Sequence, residues 1–187
     1  MNAFLTPSPP LKAQSISFRD IYNVPISTNH RGADETSLSF DSVIMIAGVV
    51  AKMGNGIDIP RDVDARMKKV MGSGYAALIG TRILSISPEE VQVEMDLDDK
   101  LNGFGIGHGG AVFSLADEAF AIAANQGEYP QVAMSASIKY LRPAKGRLTA
   151  VARKAKEDDR VSVYAVLVYS GNELVAEFEG IGFKLKK

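Results

Sequence analysis

One run of residues limits what this chain can become. From Ala111 to Asn125 it reads AVFSLADEAFAIAAN, and wound as a helix it shows an apolar side chain in almost every direction: Val112, Phe113, Leu115, Ala116, Ala119, Phe120, Ile122 and Ala123. A helix that is apolar nearly all round has to be buried. No second long helical pattern interrupts the strands after it, so other helices cannot bury it and a sheet must.

Strand patterns are plentiful. Glu90 to Leu97 alternates Val91, Val93, Met95 and Leu97 with Gln92, Glu94 and Asp96, the period of a strand with one wet face. Tyr75 to Ser87 reads as a strand before it. Val132 to Leu141, Leu148 to Lys156, Val161 to Ser170 and Glu173 to Leu185 read as strands after the helix, the last two joined by Gly171-Asn172, a favoured hairpin turn. Strands in a run, rather than alternating with helices, predict an α+β fold in which an antiparallel sheet curls round one central hydrophobic helix. A short helix is predicted upstream, capped by Asp62, running through Met67, Val70 and Met71, and stopped by Gly72 and Gly74.

The first 52 residues differ in kind. They lack a sustained period and hold Pro7, Pro9, Pro10, Pro25 and the polar stretch Ser27 to Ser39, so they are predicted to be poorly ordered or loosely docked. The compact domain is expected over residues 53–187, starting near Met53, with residues 1–52 an inessential extension, upstream sequence joined on by a misplaced start. The apolar run Val43 to Ala51 is too short to cross a bilayer, and it lies too far from the first residue to serve as a secretory signal. A cytoplasmic location is the expectation. With Lys+Arg 21 against Asp+Glu 22 the formal net charge is -1, so no global field draws the chain to nucleic acid or to an anionic membrane. The absence of cysteine removes disulfides, thiol nucleophiles and Cys-type zinc sites. With His30 and His108 as its only histidines, the chain is expected to need no metal.

Asp117 is the residue that does not belong on such a helix. Phe113 and Ala121 lie four positions away on either side and Phe120 three away, which puts a carboxylate on or beside an apolar face. An unpaired carboxylate there costs several kcal/mol. Either a cation satisfies it, or the site uses its poor solvation and raised pKa. Its neighbour Glu118 is expected to be solvated or salt-bridged. Gly109 and Gly110 open the same helix, where their N–H groups lack intrahelical partners and the helix dipole is positive, a place to stabilise a developing oxyanion. His108 and Asp117 are separated by about 13 Å of helical rise, too far for one small carbonyl to bridge. The two halves of a site are therefore expected to come from different subunits, which predicts a homodimer. Ser114 and Ser135 raise a serine-hydrolase reading, but no G-x-S-x-G elbow supports it. Gly105 to Gly110 formally fits G-x-G-x-x-G, yet the alternating strand before it and the run of strands after it speak against a dinucleotide fold.

Taken together, Asn102, the turn His108-Gly109-Gly110, Ser114-Leu115-Ala116-Asp117 and the later Ser137-Ile138-Lys139-Tyr140-Leu141-Arg142-Pro143 resemble the phenylacetate-degradation (PaaI-like) hotdog thioesterases over about Asp58 to Lys187. The resemblance implies a hotdog fold and hydrolysis of acyl-CoA thioesters, aromatic or medium-chain. It places an Asp as nucleophile or general base at Asp117, a carbonyl-polarising amide at Gly109, and assisting side chains at Asn102 and His108. Gly110, Phe113, Ser135 and Arg142 are assigned to substrate binding. It further implies a dimer or dimer of dimers with sites between subunits, and no cofactor beyond the coenzyme A of the substrate. Two alternatives stay open: a non-enzymatic acyl-CoA sensor, and a hotdog hydratase or dehydratase.

Overall fold

The computed structural model describes residues 59–186; the extension over residues 1–52 and the domain start at Met53 lie outside the described residues. Helix α1, Val63–Met71, begins as the sequence predicts, with the Asp62 carboxylate accepting from the Ala65 N–H at 2.8 Å and Gly72 closing it.

The next segment departs from expectation. Tyr75 to Ser87 is not one strand: Gly74–Ile79 is helix α2, and only Arg82–Ile86 is strand β1. The Ser73 hydroxyl accepts from Ala76 N–H at 3.0 Å at one end, and at the other Gly80 takes the left-handed conformation, φ 70°, that ends the helix. A short apolar run is ambiguous by periodicity, and its bracketing residues settle the outcome.

The remaining elements follow the predicted order: β2 (Val91–Asp96), α3 (Gly109–Ala124), β3 (Gln131–Tyr140), β4 (Arg147–Glu157), β5 (Val161–Ser170) and β6 (Glu173–Lys184). The strands form one six-stranded antiparallel sheet in the order β1-β2-β4-β5-β6-β3. This is the expected α+β arrangement, with α3 packed on β2, β3, β4, β5 and β6. Val91, Val93 and Met95 are fully buried, while Glu94 and Asp96 on the other face meet Arg82 and Arg147 in a surface ion-pair ladder.

Small side chains let the helix lie close to the sheet. Ala116 and Ala119 of α3 and Ala150 and Ala152 of β4 are all buried in the core between the two elements, and a Cβ at Gly180 of β6 would lie 2.8 Å from the Phe120 ring. Phe120 in turn stands edge-on to Tyr164, centroids 5.6 Å apart, and tilted against Phe178 at 6.0 Å. The C-terminal end of α3 is held by the buried Arg66 of α1, whose guanidinium donates to the Asn125 carbonyl at 3.0 Å and to the carbonyls of Gly127 and Arg61. A cation at a helix C-terminus suits both the unpaired carbonyls and the dipole. With one end pinned there, the other end of α3 has a fixed place.

Candidate active site

The loop before α3 is built to deliver His108. The Asn102 side-chain oxygen accepts from the N–H groups of Phe104 at 2.8 Å and Ile106 at 3.4 Å, and Gly105 turns the chain with φ 72°. Gly107 then donates to Ala144 O, and His108 to Lys100 O, each at 2.8 Å. A Cβ at Gly107 would stand 2.6 Å from a Leu97 methyl, so this close approach needs glycine. The glycines of the G-x-G-x-x-G match thus serve a tight loop beside an antiparallel sheet. Among the described residues the sheet is antiparallel throughout, which is not a dinucleotide fold.

His108 is the N-cap of α3. Its Nδ1 accepts from the Gly110 N–H at 3.0 Å, so of the two amides without intrahelical partners Gly110 is capped by a side chain, and among the described residues the Gly109 N–H alone has no acceptor. Because Nδ1 accepts, neutral His108 carries its proton on Nε2. The Tyr140 hydroxyl, from the end of β3, donates to the Gly109 carbonyl at 2.9 Å.

A cleft of about 650 Å³ opens beside this turn, lined by His108, Gly110, Phe113 and Ser114 together with Tyr75, Leu78 and Tyr140. Phe113 packs edge-on to Phe178 at 5.3 Å, and the Tyr75 hydroxyl lies 2.8 Å from Ser114 Oγ. Tyr75 escaped the sequence reading because its segment was taken for a strand. Ser114 is engaged with that phenol, on the same helix face as Asp117 but one turn before it.

Asp117 and Glu118 are half-buried on the open face of α3, and neither has a hydrogen bond or ion pair among the described residues. Desolvation pushes the Asp117 carboxyl above its ordinary range; burial and the neighbouring Asp117 do the same to Glu118. Of the two expectations for Glu118, the salt bridge is not met, since no cation among the described residues reaches it, while the side chain keeps part of its contact with solvent.

The other assigned residues are scattered. Ser135 is exposed on β3 at the edge of the sheet, beside a bulge in its pairing with β6. Arg142 bonds the Leu174 carbonyl at 2.9 Å and pairs with Glu173 at 3.1 Å, bracing the β5–β6 turn. Neither lines the cleft. Asn102 spends its side-chain oxygen on the loop, which leaves only its amide nitrogen for other work. Among the described residues no three His, Cys, Asp or Glu side chains come together as metal ligands.

Comparison with known proteins gives this geometry a family. The Thioesterase superfamily sequence model matches residues 104–177, which hold the His108 turn, Asp117, strands β3, β4 and β5 and the start of β6. The acyl-coenzyme A thioesterase PaaI of Escherichia coli is 37% identical over 109 residues, covering 56% of this chain and 78% of that protein. The chain belongs to the thioesterase superfamily. Among solved structures, the phenylacetic acid degradation protein PaaI from Thermus thermophilus aligns with TM-score 0.58 and 35% identity over 60% of this chain and 100% of that one. The PaaI protein of Escherichia coli aligns with TM-score 0.57 and 33% identity over 61% of this chain and 86% of that one. The sheet wrapped on α3 is the hotdog fold, and the protein is a PaaI-like hotdog thioesterase.

For a thioesterase the arrangement has a chemical sense. Hydrolysis needs an oxygen nucleophile and a donor for the carbonyl oxygen as it becomes negative. Among the described residues the chain offers a carboxylate and a helix-start amide without partners, on one helix and two turns apart.

Proposed function

We propose that this thioesterase hydrolyses acyl-CoA thioesters with Asp117 as the reacting carboxylate and the Gly109 N–H as the oxyanion donor. The observation that carries the reading is the Asp117 side chain, half-buried, without a cation or a donor among the described residues, and raised in pKa by desolvation. A raised pKa makes the carboxylate a stronger base, which favours the route in which Asp117 takes a proton from water as the water oxygen attacks the carbonyl carbon. Negative charge then gathers on the carbonyl oxygen, where one well-placed amide is worth about 2.7 to 4 kcal/mol. Collapse breaks the C–S bond; the acid leaves with the water oxygen and the coenzyme A sulfur takes the proton. His108, with Nε2–H free, and the Asn102 amide orient the thioester or the water. Reaction by direct attack of Asp117 would use the same groups.

The separation of about 13 Å along α3 between the His108 turn and Asp117 supports a site shared between subunits, the amide from one protomer and the carboxylate from its partner. The acyl group is proposed to be aromatic or medium-chain, seated in the cleft against Phe113 and Leu78. The coenzyme A is part of the substrate, and no further cofactor takes part. A cytoplasmic location fits that substrate.

Thiol release from phenylacetyl-CoA and octanoyl-CoA tests the proposal. Because the chain has no cysteine, a thiol reagent reads only liberated coenzyme A. Hydrolysis by the wild-type chain, abolished in Asp117→Asn, is the expected result; binding without release would instead identify an acyl-CoA sensor.

A further inference from the structure

Tyr140 has no role in the reaction as described so far, yet its hydroxyl is bonded to the turn that carries the oxyanion amide. The hydroxyl donates to the Gly109 carbonyl at 2.9 Å, and the other end of that same peptide unit, the Gly110 N–H, donates to His108 Nδ1 at 3.0 Å. One peptide plane therefore joins a phenol to an imidazole. A donor on the carbonyl draws electron density to the oxygen and strengthens the N–H as a donor in its turn, so the two bonds reinforce each other.

The glycines give an independent sign that the three groups are fitted together. A Cβ at Gly109 would stand 3.3 Å from Tyr140 Cζ and Oη, and a Cβ at Gly110 would stand 3.0 Å from His108 Nδ1. Each glycine makes room for one ring. The phenol is anchored by the sheet: Tyr140 pairs with Ala176 of β6, and the next residue, Leu141, donates to Val175 O at 2.8 Å. The imidazole needs such a hold, because His108 is exposed and its ring would otherwise rotate. Desolvation also raises the Tyr140 pKa, so the phenol keeps its donor proton under assay conditions.

We propose that Tyr140 is a positioning residue that acts through the Gly109-Gly110 peptide to hold His108 in the Nε2–H form, with that proton offered to the substrate. The proposal rests on the reading of His108 as a group that orients the thioester or water.

The test uses the full chain, phenylacetyl-CoA as the probe, and NMR of labelled imidazole nitrogens. In the wild type, His108 shows an unprotonated Nδ1 and a protonated Nε2. Tyr140→Phe is expected to lower kcat about tenfold, the loss of one hydrogen bond, with KM within about twofold, and to turn the His108 signals toward a mixture of tautomers. In a His108→Ala background the same substitution should change kcat by less than about twofold, because no ring is left to hold. An equal loss of kcat in both backgrounds, or an unchanged His108 nitrogen pattern in Tyr140→Phe, overturns the proposal. If Tyr140→Phe does not fold, fluorotyrosine at position 140 replaces it: a stronger donor should fix the Nε2–H form more firmly, and no change in the nitrogens overturns the relay. The nitrogen readout needs no turnover, so it tests the relay even if Asp117→Asn left hydrolysis intact and removed the reading beneath it.

Discussion

At the β4–β5 end of the sheet, Glu157 is gripped by two lysines: Lys154 and Lys184 each reach it at 2.6 Å, and its carboxyl is pulled down from 4.5 to about 2. On the open face of α3, Asp117 and Glu118 stand next to each other with no cation among the described residues, and both carboxyls are pushed up. The chain does not lack cations, since Arg82 and Arg147 form a ladder on Glu94 and Asp96 where strand β2 brings those two carboxylates together. Leaving two half-buried carboxylates unpaired costs stability that a single Arg could restore. The helix keeps that cost on one face and packs Phe120, Leu115 and Ile122 into the core on the other, which under the proposed function divides chemistry from stability.

Substitutions on the two faces and at the two carboxylate regions can break that contrast. Asp117→Asn carries the largest expected effect: thiol release should fall about a thousandfold, within the span of a positioned acid–base group, while the melting temperature holds or rises. A variant that keeps near-wild-type turnover ends the division of labour. Phe120→Ala should do the reverse, costing about 3–5 kcal/mol in denaturant unfolding by emptying the contact with Tyr164 and Phe178; a loss under about 1 kcal/mol would show a loose core. Lys184→Met is expected to cost about 1 kcal/mol, a modest figure because Glu157 is 40% exposed and screened. Glu118→Gln should be smallest, a gain of less than about 1 kcal/mol with hydrolysis largely kept.

The acid dependence should separate the two regions by sign. A carboxyl raised on folding gives stability that is complete below its ordinary 3.8 and is lost as pH rises through the raised value, as for Asp117. Glu157 behaves oppositely: its stability is present above 4.5 and is lost as pH falls toward about 2. Melting curves against pH should therefore show the advantage of Asp117→Asn over wild type closing on acidification through the raised pKa of Asp117, and the deficit of Glu157→Gln closing as pH falls from 4.5 toward about 2. Both differences moving the same way would mean that the two carboxylates share one environment.

Much of this was legible in residue order, because it depends on near neighbours. An all-round apolar helix, a period of two in Glu90 to Leu97 and the turn at Gly171 are properties of short windows, and each became the element expected. Helix α2 was misread because Tyr75 to Ile79 is too short for periodicity, although Ser73 and Gly80 did mark its ends. Arg66 at the end of α3 was invisible: its acceptors at Asn125 and Gly127 come from 59 and 61 positions along the chain.

By itself the sequence determined that one greasy helix must be wrapped by strands and that a carboxylate sits on it, since side-chain polarity and local spacing travel with the chain. Only the tertiary structure decided which groups remain unpaired. Whether a cation meets Asp117 and whether a phenol reaches the Gly109 carbonyl depend on segments distant in sequence, whereas the capping of the Gly110 N–H by His108 is a local outcome two residues long. Pairing of buried charges and donors is settled by three-dimensional proximity.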